Sequence, residues 1–223
     1  MAKSIMWMVV RMSKNKRRGR EKKGKTPNKK VKIYCEGYTE KHYFDMLRKK
    51  HSKSNISVSV EAVSQSHKAL VKKVINKEKV EKSDVVVIVF DNDNQSTQDI
   101  SQAISDIRKN NYYLFYTNQC FELWLLLHLE SVEKNRSLNT EQLNKKLETY
   151  CQVEKWKNYK NENFNQIQEM FEDNVECAMK NALKLNHGNI NVTKQNSPYL
   201  IGQNPYTNIH HDLKVIFNIT KRL

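Results

Sequence analysis

The sequence is poor in the features that would place a chain outside the cell or in a membrane. Its four cysteines, Cys35, Cys120, Cys151 and Cys177, are widely separated and show no C-x-x-C spacing, which argues against a disulfide framework and against a cysteine zinc site. A reducing, cytoplasmic setting is the expectation. No apolar run approaches the roughly 20 residues of a membrane span. The apolar start, Ile5-Met-Trp-Met-Val-Val10, is shorter than a signal-peptide core and is followed by charge rather than small residues, so export is not expected. Met12 offers an alternative start. There is no internal repeat, and no base-reading module is visible.

What the chain has in excess is positive charge, +15 over 223 residues. Of the 39 Lys/Arg, 12 fall within residues 1–30 beside a single Glu, so the body of the protein is only mildly basic. A run such as Lys14-Asn-Lys-Arg-Arg-Gly-Arg20 has nothing to bury and reads as a disordered basic tail. Such a tail either keeps the protein soluble or gives salt-dependent, sequence-independent contact with phosphates. The charge points to a polyanion in general and does not separate RNA from DNA.

The rest divides into an α/β core over residues 31–130 and a helical extension over 131–223 packed on it. Val31–Cys35 reads as a first strand closed by Glu36-Gly37. A helix follows, with Tyr43, Phe44 and Leu47 at helical spacing. Asn55–Val60 alternates apolar and polar, which suits a strand nearer the sheet edge. Ala69–Val80 is an amphipathic helix. Asp84-Val-Val-Val-Ile-Val-Phe90 holds six consecutive apolar residues, which suits a strand buried on both faces of a parallel sheet. Thr97 opens a helix stopped by Asn110-Asn111, and Tyr112–Tyr116 is a fourth strand. The order β-α-β-α-β-α-β over residues 31–116 predicts a four-stranded, mainly parallel sheet with helices on both faces. Phe121–Leu129 is too apolar for a surface helix and should pack inside. Residues 138–150 and 163–185 read as helices, 152–163 as a polar join, 186–204 as a loop, and about 207–220 as a last helix.

The chemistry concentrates at strand ends. Asp91 and Asp93 follow the third strand, and side chains two apart on extended backbone point the same way. Glu36 ends the first strand. If the two strands are neighbours, three carboxylates meet on the rim where open α/β sheets bind ligands, and such a cluster suits Mg²⁺ (or Mn²⁺), which needs only one or two protein carboxylates. Glu40, one turn into the first helix, and Glu122, at the head of the apolar helix, could extend the acidic rim. Each has a plainer reading. Asp91–Asn94 could cap the helix that begins near Thr97, Glu36 could be a turn residue, and Glu122 could be a helix N-terminal acid. Lys160 is expected to be solvated in so basic a chain, and His210 and His211 to be structural or exposed. An Asp91 nucleophile with Asp93 as acid/base, as in HAD-like phosphotransferases, is disfavoured because two βα units precede the pair.

Glu36-Gly37 after one strand and Asp91-x-Asp93 after a later one resemble the Toprim domain of topoisomerases, primases and OLD-type nucleases. Tyr34–Glu40, Phe90–Asn94, Asn118-Gln-Cys-Phe-Glu-Leu-Trp-Leu-Leu-Leu-His128 and Asn204-Pro-Tyr-Thr-Asn-Ile-His210 together resemble RloB-like proteins, with Gln119 standing where that family commonly has proline. The resemblance covers about residues 31–220. It implies a metal-dependent nuclease acting in restriction-linked or anti-phage defence beside an ABC-type ATPase. It also implies that Asp91 and Asp93 hold Mg²⁺ and that Glu36 binds metal or does acid/base work. A lysine contacts phosphate in some Toprim nucleases, a role Lys160 could fill. The alternative is a non-catalytic nucleic-acid-binding or scaffolding subunit. A homodimer is left open.

Overall fold

The computed structural model describes residues 28–51, 56–65, 67–92, 96–134, 136–160, 163–186 and 202–217. The basic segment up to residue 27 and Asp93 lie outside them. Strands β1 (Lys29–Cys35), β2 (Ile56–Ala62), β3 (Val85–Asp91) and β4 (Tyr113–Asn118) alternate with helices α1 (Tyr38–His51), α2 (His67–Glu81) and α3 (Thr97–Lys109). The pairs β1–β2, β1–β3 and β3–β4 are all parallel. This is the α/β pattern expected from the sequence, although β1 starts earlier and takes Lys29 and Lys30 from the tail.

The sheet corrects the four-strand expectation. Among the described residues it has five strands in the order β2-β1-β3-β4-β5, the last being β5 (Tyr206–Thr207), antiparallel to β4. Two residues leave no periodicity to read; hydrogen bonds from a neighbouring side chain hold the strand instead. Asn208 Oδ1 accepts from the Tyr116 N–H at 2.7 Å, and its Nδ2 donates to the Leu114 carbonyl at 3.0 Å. Asn186 Nδ2 donates to the Thr207 carbonyl at 2.8 Å. The edge of β4 is thereby satisfied rather than left open for another chain.

β3 lies at the centre, and its apolar run serves two cores because alternate residues face opposite sides. Val86, Ile88 and Phe90 join Leu70, Val74, Ile100 and Ile104 of α2 and α3. Val87 and Val89 join Tyr43, Phe44 and Leu47 of α1 together with the C-terminal helices. Helices thus cover both faces, and edge strand β2 is half-buried in alternation.

Beyond β4 come α4 (Glu122–Leu126), α5 (Thr140–Cys151), α6 (Trp156–Tyr159), a 3₁₀ turn (Phe164–Gln166), α7 (Gln168–Glu172), α8 (Val175–Leu185) and α9 (Ile209–Phe217). Every residue of α4 is buried, as its composition demands. The expected single helix over 163–185 is broken at Asp173-Asn174, where Asn174 Nδ2 donates to the Met170 carbonyl at 2.8 Å, a local bond that competes with helix continuation. The expected polar join at 152–163 carries α6, pinned by the fully buried Trp156, whose N–H donates to Glu148 Oε1 at 2.8 Å. Among the described residues no helix is long and apolar enough to cross a membrane.

Candidate functional site

Parallel pairing of β1 with β3 brings two of the sequence-selected acids to one rim. Cys35 is in register with Val89, and the next N–H along, that of Glu36, donates to the Val89 carbonyl at 3.1 Å. By that register Glu36 leaves β1 beside Phe90, one residue short of Asp91 at the end of β3. The Glu36 carbonyl accepts from the Ser64 N–H at 3.1 Å, which fixes the turn from the other side. Asp91 faces the α1 side, as Val87 and Val89 do, and its Oδ2 accepts from the Phe121 N–H at 3.1 Å. Its carbonyl lies 2.6 Å from His67 Nε2. Asp91 thus orients the chain entering α4, and the capping of α3 falls to Ser96, whose Oγ accepts from the Asp99 N–H at 3.1 Å.

Glu40 lies in the first turn of α1 with its side chain folded back over Gly37, so closely that a β-carbon on Gly37 would stand 2.9 Å from Glu40 Oε2. That oxygen is buried and has no hydrogen-bond partner. Burial pushes the carboxyl up to about 7; the nearby Glu122 adds to the rise, while Lys160 and the N–H groups of Glu40 and Gly37 oppose it.

Glu122 opens α4 and is buried, with Oε1 accepting from Trp156 Nε1 at 3.1 Å and from Lys160 Nζ at 3.3 Å. Burial pushes this carboxyl up, but Lys160, the Cys120 thiol, the Trp156 N–H and its own backbone outweigh it and hold it below the usual range. Lys160 is the reciprocal case: burial favours the neutral amine, and Glu122 with smaller help from Glu40 holds it more firmly charged. The solvated lysine expected from the sequence is instead a half-buried partner of Glu122. Between these groups sits Cys120, pushed up by burial and then by the Glu122 and Asp91 carboxylates. One thiol feeling both acids places β3's end and α4's head in the same polar corner.

Asp93 lies outside the described residues. Among those residues, no three His, Cys, Asp or Glu side chains gather as a metal-holding group. His210 is buried in the first turn of α9, its ring 4.1 Å from that of His211. Burial and that neighbour push it down to about 3, so it is a neutral packing residue rather than an exposed one.

A family model described as RloB-like protein matches residues 31–216. The chain belongs to the RloB-like family. No curated protein and no solved structure matches it. The RloB-like match takes in Glu36, Glu40, Asp91, Glu122 and Lys160, and also the Asn204–His210 segment whose Asn208 straps β5 to β4. Trp156 and Cys120 are the residues of this corner that sequence reasoning overlooked. A tryptophan, with Tyr159 three residues on, in the otherwise polar stretch 152–163 was the available signal for Trp156. Nothing in the spacing of Cys120 from other cysteines marked it.

Proposed function

We propose that this RloB-like protein is a Toprim-like, divalent-cation-dependent nuclease that hydrolyses phosphodiesters of RNA or DNA. The observation that carries the proposal is that the ends of the adjacent strands β1 and β3 bring Glu36 and Asp91 to one rim, one residue apart in register, beside a corner formed by the buried Glu40 and Glu122 and the half-buried Lys160. The residues suit a hard cation. Glu40 holds a buried carboxylate oxygen without a hydrogen-bond partner, and burial, which penalises its charged form, lets it keep a proton to about 7. Glu36, Asp91 and Asp93 would hold Mg²⁺ (or Mn²⁺), with Glu40 and Glu122 widening the acidic rim. A bound cation would neutralise the phosphate's developing charge and favour ionisation of a water.

The protein's own groups have definite tasks in this reading. Hydrolysis forms one P–O bond from water, breaks the P–O bond to the leaving oxygen, and delivers a proton to that oxygen. Glu40, titrating near neutrality, is suited to take or give that proton at Oε2. Lys160 Nζ, held charged by Glu122, is suited to donate to a phosphate oxygen. Trp156 and the buried face of α4 keep water from the Glu122 end of that pair and so strengthen it. The wider setting belongs to the same proposal: an effector of restriction-linked or anti-phage defence, working beside an ABC-type ATPase.

The test is to mix purified protein with labelled RNA and DNA in Mg²⁺ or Mn²⁺. Cleavage that is lost in Glu36→Ala supports the enzyme. Binding without cleavage, abolished by removing residues 1–27, supports instead a nucleic-acid-binding subunit, the reading that the concentrated basic charge of the N-terminal segment favours.

A further inference from the structure

Tyr38 is the first residue of α1 and directly follows Gly37, yet the residue is 54% exposed. Single exposed aromatics are ordinary; this one is the outer end of a ladder. Its centroid lies 6.3 Å from that of His42, one helical turn on, with the planes 32° apart. His42 in turn lies 6.3 Å from Phe164, stacked at 16°, and Phe164 lies 5.7 Å from Phe171, stacked at 14°. Phe164 and Phe171 are buried, so the ladder runs from the core to solvent.

Two members of the ladder are near the acid rim in sequence. Tyr38 is two residues from Glu36 and from Glu40, and Phe164 is four residues from Lys160, the partner of Glu122. We infer that Tyr38, backed by His42 and Phe164, is a stacking platform for an unpaired base next to the phosphodiester held at the rim, so that the substrate class is single-stranded nucleic acid. This rests on the nuclease reading. Bases inside a duplex have both faces covered by their neighbours, whereas an unpaired base can lay one face on an aromatic ring. The basic excess concentrated in residues 1–30 of the same chain favours a polyanion over an apolar protein segment as the occupant.

The test uses the full chain without divalent cation at low salt. The probes are short RNA and DNA strands carrying a fluorescent adenine analogue that is quenched on stacking, each offered single-stranded and as a duplex. Tyr38→Ala should weaken single-strand binding by about tenfold and abolish the quench. Tyr38→Phe should keep both, and duplex binding should not change. The RNA and DNA arms show which sugar the platform accepts. No single-strand binding, an unaltered Tyr38→Ala affinity, or an equal loss for duplex would each overturn the inference. Because the readout is binding, it separates the two proposals: cleavage with an unaltered Tyr38→Ala affinity sinks the platform alone, and a Tyr38-dependent quench without cleavage sinks the nuclease alone.

Discussion

Gly37 and Glu40 share one small space: a β-carbon on the glycine would stand 2.9 Å from the glutamate's Oε2. The turn after β1 is therefore glycine because an acid folds back over it, and not for the sake of an unusual backbone angle. Gly37→Ala should fold with a stability loss below about 1 kcal/mol, since the flexible end of Glu40 can swing away. The cost should fall on cation-dependent cleavage, because the displaced carboxylate leaves the corner. Urea unfolding and cleavage rates measured on the same preparation check the split.

Glu40 also makes stability depend on pH. Its carboxyl titrates at about 7 in the folded protein against an ordinary 4.5. Between those values the unfolded chain has lost a proton that the folded chain keeps. Its contribution is thus fully present below about pH 4.5, falls as pH rises, and levels off above about 7. The loss is on the order of 3 kcal/mol. Glu40→Gln should remove this slope and be the more stable protein at pH 7, as read from urea midpoints across the pH series. Gly37→Ala should flatten it too.

Removing one partner of a buried ion pair costs more than removing both. Lys160→Met leaves the buried Glu122 charge without its half-buried partner and should cost up to about 3 kcal/mol, the low end for a buried pair, whereas Lys160→Met with Glu122→Gln should recover most of it. A double-mutant cycle by chemical denaturation measures the coupling. Either single change should also abolish cleavage.

Deleting residues 1–27 removes most of the basic excess while leaving β1 whole. Nucleic-acid affinity should fall, and the slope of log K against log salt should become shallower, because fewer counterions are released. Unfolding midpoints should stay within about 0.5 kcal/mol of the full chain. Binding titrations across a salt series give the slope.

The parts of the fold that were legible in the sequence are those with a long periodic signal. The apolar run before Asp91 fixed a central strand, and α1 to α3 showed helical spacing over several turns. What escaped lacked local signal. β5 is two residues long and depends on Asn208 and Asn186, and α6 is one turn held by Trp156. The acids Glu36, Glu40, Asp91 and Glu122 were legible because they stand at strand ends and helix starts. Lys160 was not, since its partner is 38 residues away and one lysine carries little information in so basic a chain. The role of Asp91 in holding the Phe121 N–H could be read only once the head of α4 was seen to meet the end of β3.

Binding of Mn²⁺ to the intact protein at neutral pH, followed by the loss of the free-ion spin-resonance signal, addresses the rim without requiring a nucleic acid or a partner protein. Saturable binding that disappears in Glu36→Ala and Asp91→Ala, with both variants folded by circular dichroism, is the expected result. Binding that is absent in the wild type, or equal in all three proteins, would contradict a cation site built on Glu36 and Asp91.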